Sequence, residues 1–132
     1  MAISGHSQAS RESQNLCRSL YTELSRLIPD LHENATQGSC GIFQKGKARF
    51  AYVYHSKTMS QIEIWCRGDK DELMANDPGL EIRSRDNPKP GWEESFPARF
   101  RVYTANQVPV AARFLAAFSY PAAASKGRKR AP

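Results

Sequence analysis

The hydrophobic pattern changes period twice along this chain. Apolar residues recur every third or fourth position up to Leu31, every second position in several runs between Gly41 and Tyr103, and every third or fourth again from Val108. Side chains share a face at a period of two in a strand and about 3.6 in a helix, so the chain is predicted to set helices on either side of a group of strands.

Leu16, Leu20, Leu24, Leu27 and Leu31 form the first stripe, widened by Tyr21 and Ile28. Ser10 is a suitable N-cap, and Pro29 lacks an amide N–H, so a helix is expected from Ser10 to about Leu27. Asp30 to Ser39 reads as a loop. Strands are expected at Gly41–Gln44, Arg49–His55, Gln61–Arg67, Leu80–Arg85 and Ala98–Tyr103, with turns at Lys45-Gly46 and Ser56–Ser60. Gln61–Arg67 alternates most cleanly, with Ile62, Ile64 and Cys66 against Glu63, Trp65 and Arg67. Asp69 with Glu72 forms a capping box before a short helix ending near Asn76, and Asp77-Pro78-Gly79 stops it. Asp86–Gly91 reads as a loop. Thr104 with Gln107 opens the last helix, which tolerates Pro109 in its first turn and is expected to end before Pro121.

The fold class that follows is α+β: a mostly antiparallel sheet of about five strands, with the N- and C-terminal helices packed on one face. Residues 1–9 are expected to be flexible, residues 10–120 to form a single α+β domain, and residues 121–132 to be a flexible basic tail. A chain of 132 residues suits one domain.

The net charge of +6 is unevenly spread. Lys126, Arg128, Lys129 and Arg130 carry four positive charges, and without them 15 basic residues face 13 acidic ones. An anionic partner would therefore meet the tail, or the body's charges through their arrangement. Met1–Ser13 lacks the apolar stretch of an export signal, so a cytoplasmic location is expected. Cys17, Cys40 and Cys66 are odd in number and widely spaced, and read as unlinked core residues.

Lys45-Gly46-Lys47-Ala48-Arg49-Phe50-Ala51-Tyr52-Val53, then Trp92, then Phe118-Ser119-Tyr120 with a basic tail, is similar to the hairpin, tryptophan and closing helix of MmcQ/YjbR-like small α+β domains. The resemblance covers roughly residues 41–130 in order of elements. It implies a compact sheet backed by helices and a nucleic-acid-binding role, with no established enzyme activity.

Strand alternation places Trp65, Arg67, Arg83, Arg85, Arg99, Arg101 and Tyr103 on the outer side of the sheet. Arginines contact phosphates and aromatics stack on unpaired bases, so this face and the tail residues Lys126, Arg128, Lys129 and Arg130 are the expected site for DNA or RNA. The alternative for the face is a solvated surface, with arginine stems over Trp65 and Tyr103 and with Glu63 and Glu81 as local partners. A second functional reading is a protein-interaction or small-ligand domain with an aromatic groove near Trp65 and Trp92. No cofactor or membrane partner is expected, since phosphate-binding loops, serine elbows and lipidation motifs are lacking. His55 with Cys66 could form a base–nucleophile couple, but Cys66 lies on the apolar face and reads as core. His6, His32 and His55 have no zinc spacing with any cysteine. Asp69, Asp71 and Glu72 read as a helix cap, and Arg67-Gly68-Asp69 as a turn.

Overall fold

Helix α1, Arg11–Leu27, buries Leu16, Cys17, Leu20 and Leu24 along one side. The stripe is narrower than the leucine spacing suggests. Leu27 is 46% exposed, and Ile28, just past the helix, takes the inward place at 3%. The Ile28 amide still donates to the Leu24 carbonyl before Pro29 interrupts the ladder. The computed structural model describes residues 11–34, 41–45, 48–55, 61–85 and 89–124, with the backbone alone at 32–34, 55, 92 and 124. Residues 1–10 with their expected cap, the turns at Lys45-Gly46 and Ser56–Ser60 in part or whole, and the tail from residue 125 lie outside them.

Six strands follow: β1 His32–Asn34, β2 Gly41–Lys45, β3 Ala48–His55, β4 Ile62–Cys66, β5 Arg83–Ser84 and β6 Ala98–Val102. They pair antiparallel in the order β1-β2-β3-β4-β6-β5. The fold is α+β, as expected, with two corrections to the strands. The segment read as a loop from Asp30 contains β1, whose three polar residues carry no alternation signal and pair through the backbone. The expected strand Leu80–Arg85 shrinks to two residues. Asp77 explains this: its carboxylate accepts the amides of Gly79 at 2.9 Å, Leu80 at 2.6 Å and Ile82 at 2.8 Å. The chain bends around that carboxylate, and Glu81 adopts a left-handed φ of 60°. Leu80 and Ile82 are nonetheless buried.

A bulge sorts the residues of β3. Phe43 pairs with Ala51 but Gln44 with Arg49, leaving Phe50 extra. Phe50 and Ala51 therefore both join the inner core, and Arg49 is turned outward. Arg67 secures the bulge, its amide donating to the Phe50 carbonyl at 3.1 Å and its Nε to the Arg49 carbonyl at 2.6 Å.

Helix α2, Lys70–Ala75, starts at Asp69, whose carboxylate accepts the Glu72 amide. A 3-10 turn, Trp92–Ser95, precedes β6. The Thr104–Gln107 capping box is present, and α3, Val108–Phe114, follows it with Pro109 in its first turn. Pro121 does not end this helix, contrary to expectation. A π-helical stretch, Leu115–Ser119, continues into α4, Tyr120–Ala124. The Tyr120 amide reaches back five residues to Leu115, so the proline enters where the regular ladder has already changed. The domain thus extends past residue 120, with Ala123 buried in the core.

Both long helical segments cover the same sheet face. Leu20, Leu24, Ile62, Ile64, Phe100, Val102, Ala111 and Leu115 belong to one buried cluster. Ser13 adds a polar tie: its buried hydroxyl donates to the Gln61 carbonyl at 2.8 Å and accepts the Gln61 amide at 3.2 Å, fastening α1 to the start of β4. Cys66 is a buried free thiol, as expected, but Cys17 is disulfide-bonded, which corrects the reading of three unlinked cysteines. Cys40 lies outside the described residues.

Candidate nucleic-acid interface

Register brings Ile42, Tyr52, Trp65, Arg99 and Arg83 into one row across the outer face, from β2 to β5. Beside it runs a second row, Tyr54, Glu63 and Arg101. The face divides along these rows into an aromatic half and a cationic half.

Ile42, Tyr52 and Phe96 are buried in the aromatic half, with Tyr54 and Trp65 packed against them. Phe96 meets Tyr52 edge-on with 4.9 Å between ring centroids, and Tyr54 lies 4.6 Å from Trp65. Burial pushes the Tyr54 hydroxyl above its ordinary pKa, with the neighbouring Tyr52 adding to the shift. Arg85 clamps the cluster shut. Its guanidinium lies 3.5 Å from the Trp65 ring centroid, donates to the Phe96 carbonyl at 3.0 Å, and pairs with Glu93 at 2.9 Å. The hydrogen bond from Arg85, then the Lys89 amide, holds the Glu93 carboxyl below the usual carboxylate range. Arg67 lies over Phe96 at 5.1 Å, and burial lowers its pKa. Arg67 and Arg85 thus act as struts of a small second core.

In the cationic half, Arg83, Arg99, Arg101 and Tyr103 line a cleft of about 270 Å³ together with Leu80, Glu81 and Phe100. Glu63 links the halves, accepting Trp65 Nε1 at 2.9 Å on one carboxylate oxygen and Arg101 Nε at 3.1 Å on the other. That bond, then the Tyr103 side chain, raises the Arg101 pKa. Arg83 and Arg99 stand directly opposite each other on paired strands. Among the described residues neither guanidinium has a hydrogen bond or ion pair. Glu81, expected as a local partner, makes no ion pair among the described residues; its backbone is turned by the Asp77 loop.

The structure therefore gathers Arg83, Arg99, Arg101 and Tyr103, places Trp65 at their border, and puts Arg67 and Arg85 to other use. Lys126, Arg128, Lys129 and Arg130, and the Trp92 side chain of the aromatic-groove reading, lie outside the described residues. Sequence reasoning missed Tyr52, Tyr54, Phe96 and Arg49, whose guanidinium donates to the Tyr52 hydroxyl at 2.6 Å. The alternation of Ala51 and Val53 with Tyr52 and Tyr54 was a usable signal for the tyrosines.

The base–nucleophile couple does not assemble. Cys66 pairs with Ala51 and His55 with Ile62, so His55 sits four positions along β3, about 13 Å at strand rise. Burial also pushes the Cys66 thiol up to about 12. Among the described residues no His, Cys, Asp and Glu group could hold a metal, and no helix is long and apolar enough to cross a membrane. No protein-family model matches the chain, and no curated protein or solved structure is significantly similar to it.

Proposed function

We propose that this protein is a non-catalytic nucleic-acid-binding module that holds the phosphate backbone on Arg83, Arg99 and Arg101, with Lys126, Arg128, Lys129 and Arg130 adding charge. The observation that carries the reading is the opposed Arg83–Arg99 pair. Like charges directly across a sheet destabilise it. Here no acid relieves them among the described residues, although Glu63 serves Arg101 one step away. A phosphate seated between the two guanidiniums would remove the repulsion and accept charge-assisted hydrogen bonds from both. The likeness of the Lys45–Val53 hairpin to MmcQ/YjbR-like domains points the same way.

Such binding weakens steeply with salt, because each neutralised phosphate releases condensed counterions. Fluorescence anisotropy with labelled DNA and RNA over a salt series tests this. Replacing Arg128, Lys129 and Arg130 with alanine is expected to lower affinity and flatten the log–log salt slope by up to about three phosphate equivalents. No binding of any nucleic acid at low salt overturns the proposal and favours a protein or small-ligand partner. The disulfide at Cys17 fits an oxidising compartment better than the expected cytoplasm, and counting free thiols on protein taken from cells decides between the two.

A further inference from the structure

We infer that the strand bound here is single: it lies along β6 with its phosphates on Arg83, Arg99 and Arg101 and an unpaired base against the Tyr103 ring. This rests on the nucleic-acid reading above and narrows it to one class of ligand.

Shape is the first argument. Sequence-reading of duplex DNA requires a projecting element, a helix or a two-stranded ribbon, that enters the major groove. The outer face offers the reverse, a recess of about 270 Å³ between β6 and the Asp77 loop, and α1 and α3 lie behind the opposite face. The second argument is spacing. Arg99 and Arg101 are two residues apart on one strand face, about 6.6 Å at strand rise. That is close to the step between successive phosphates of an extended single strand. Glu63 holds Arg101 through Nε and the Tyr103 side chain bonds the same guanidinium, so the cation and the ring are presented at the cleft as one unit.

The third argument is which ring is open. Trp65 was the natural stacking residue by sequence, but Arg85 lies 3.5 Å from its ring centroid, Tyr54 packs at 4.6 Å, and its N–H is bonded to Glu63. Tyr103 is 49% exposed, lines the cleft, and sits beside the Arg101 guanidinium. Stacking on an aromatic ring is open to every base, so it gives affinity without sequence choice. The loop that carries Arg83 is also held in place before any ligand arrives. Asp77 fixes three amides there and keeps Glu81 in a backbone region that non-glycine residues seldom occupy.

The test is anisotropy of the full chain with a labelled oligothymidylate and with a hairpin duplex of matched length, at one salt concentration. We expect the single strand to bind at least about tenfold tighter than the duplex. Tyr103→Leu should weaken single-strand binding by about 5- to 100-fold, the loss of one stacked base, and leave duplex binding within about twofold. Tyr103→Phe should retain it. Arg99→Gln should weaken binding to both forms, while its melting temperature stays at or above that of the wild type because a like-charge pair is relieved. Circular dichroism melts of the tyrosine variants confirm that the fold persists. Equal binding of the two forms, or an equal loss for both in Tyr103→Leu, overturns the single-strand inference and leaves the nucleic-acid reading standing. Absence of binding to either probe overturns both.

Discussion

Ile64 and Trp65 are neighbours in sequence and sit on opposite faces of β4. Ile64 joins Ile62, Phe100 and Val102 beneath two helical segments, where the surroundings are aliphatic and phenylalanine side chains and these four residues are sealed from water. Trp65 lies among tyrosines, Phe96 and guanidiniums, and its surroundings remain half open. The inner face is closed by elements distant in sequence, α1 and α3. The outer face is closed by its own side chains and by one short turn, Trp92–Ser95. The lesson of the difference is that a sheet face without helices can still be organised, provided that arginine supplies both a planar lid for rings and donors for stray carbonyls. Where that organisation stops, at Arg83 and Arg99, the face is left charged and unpartnered among the described residues.

Four substitutions probe that contrast. The largest effect is expected on the inner face: Leu24→Ala should cost about 2–5 kcal/mol in a denaturant melt, whereas Leu27→Ala should stay within about 0.5 kcal/mol. Equal losses would mean that the helix is rotated relative to the burial described here. Next comes Phe96→Ala, expected to cost about 3 kcal/mol, the low end for a buried phenylalanine, because part of its cover is arginine side chain rather than packed helix. If its midpoint matched the wild type, the outer cluster would be surface decoration rather than a second core. The smallest effect concerns the clamp. Glu93 has a folded-state pKa below its ordinary value, so its pairing with Arg85 contributes stability above that ordinary value and loses it as pH falls through the depressed one. Glu93→Gln should therefore show a shallower loss of thermal stability than the wild type on titration from pH ~5 towards pH ~2. Identical acid profiles would remove Glu93 from the clamp.

Much of the inner face was legible because its signal is local. Ile62, Ile64 and Cys66 alternate with polar neighbours, and α1 ends two residues before Pro29, at Leu27. Leu27 shows the limit: leucine spacing alone cannot tell which edge of a stripe the sheet covers, and the break at Pro29 let Ile28 take the inward position. The outer cluster was harder to see, since it joins Ile42 on β2 with Phe96 some fifty positions away and depends on a bulge at Phe50 that no pattern of two announces. Its arginines were correctly placed on one face, but division into struts and free cations needs Glu63, Glu93 and the Phe96 carbonyl in space. β1 and the two-residue β5 escaped for a related reason. One has no apolar residue, and the other is cut short by hydrogen bonds to an aspartate six positions upstream.

Those two brief strands, His32–Asn34 and Arg83–Ser84, also form the two margins of the sheet. A long, flat border strand offers a ladder of unpaired backbone groups on which another chain can grow, the first step towards fibrillar assembly. Here one border is three residues long and the other two, and the second carries an arginine facing another arginine. A second copy attempting to extend the sheet from that side would bring its own cations against this pair. The feature proposed to hold a polyanion thus also discourages the chain from templating itself.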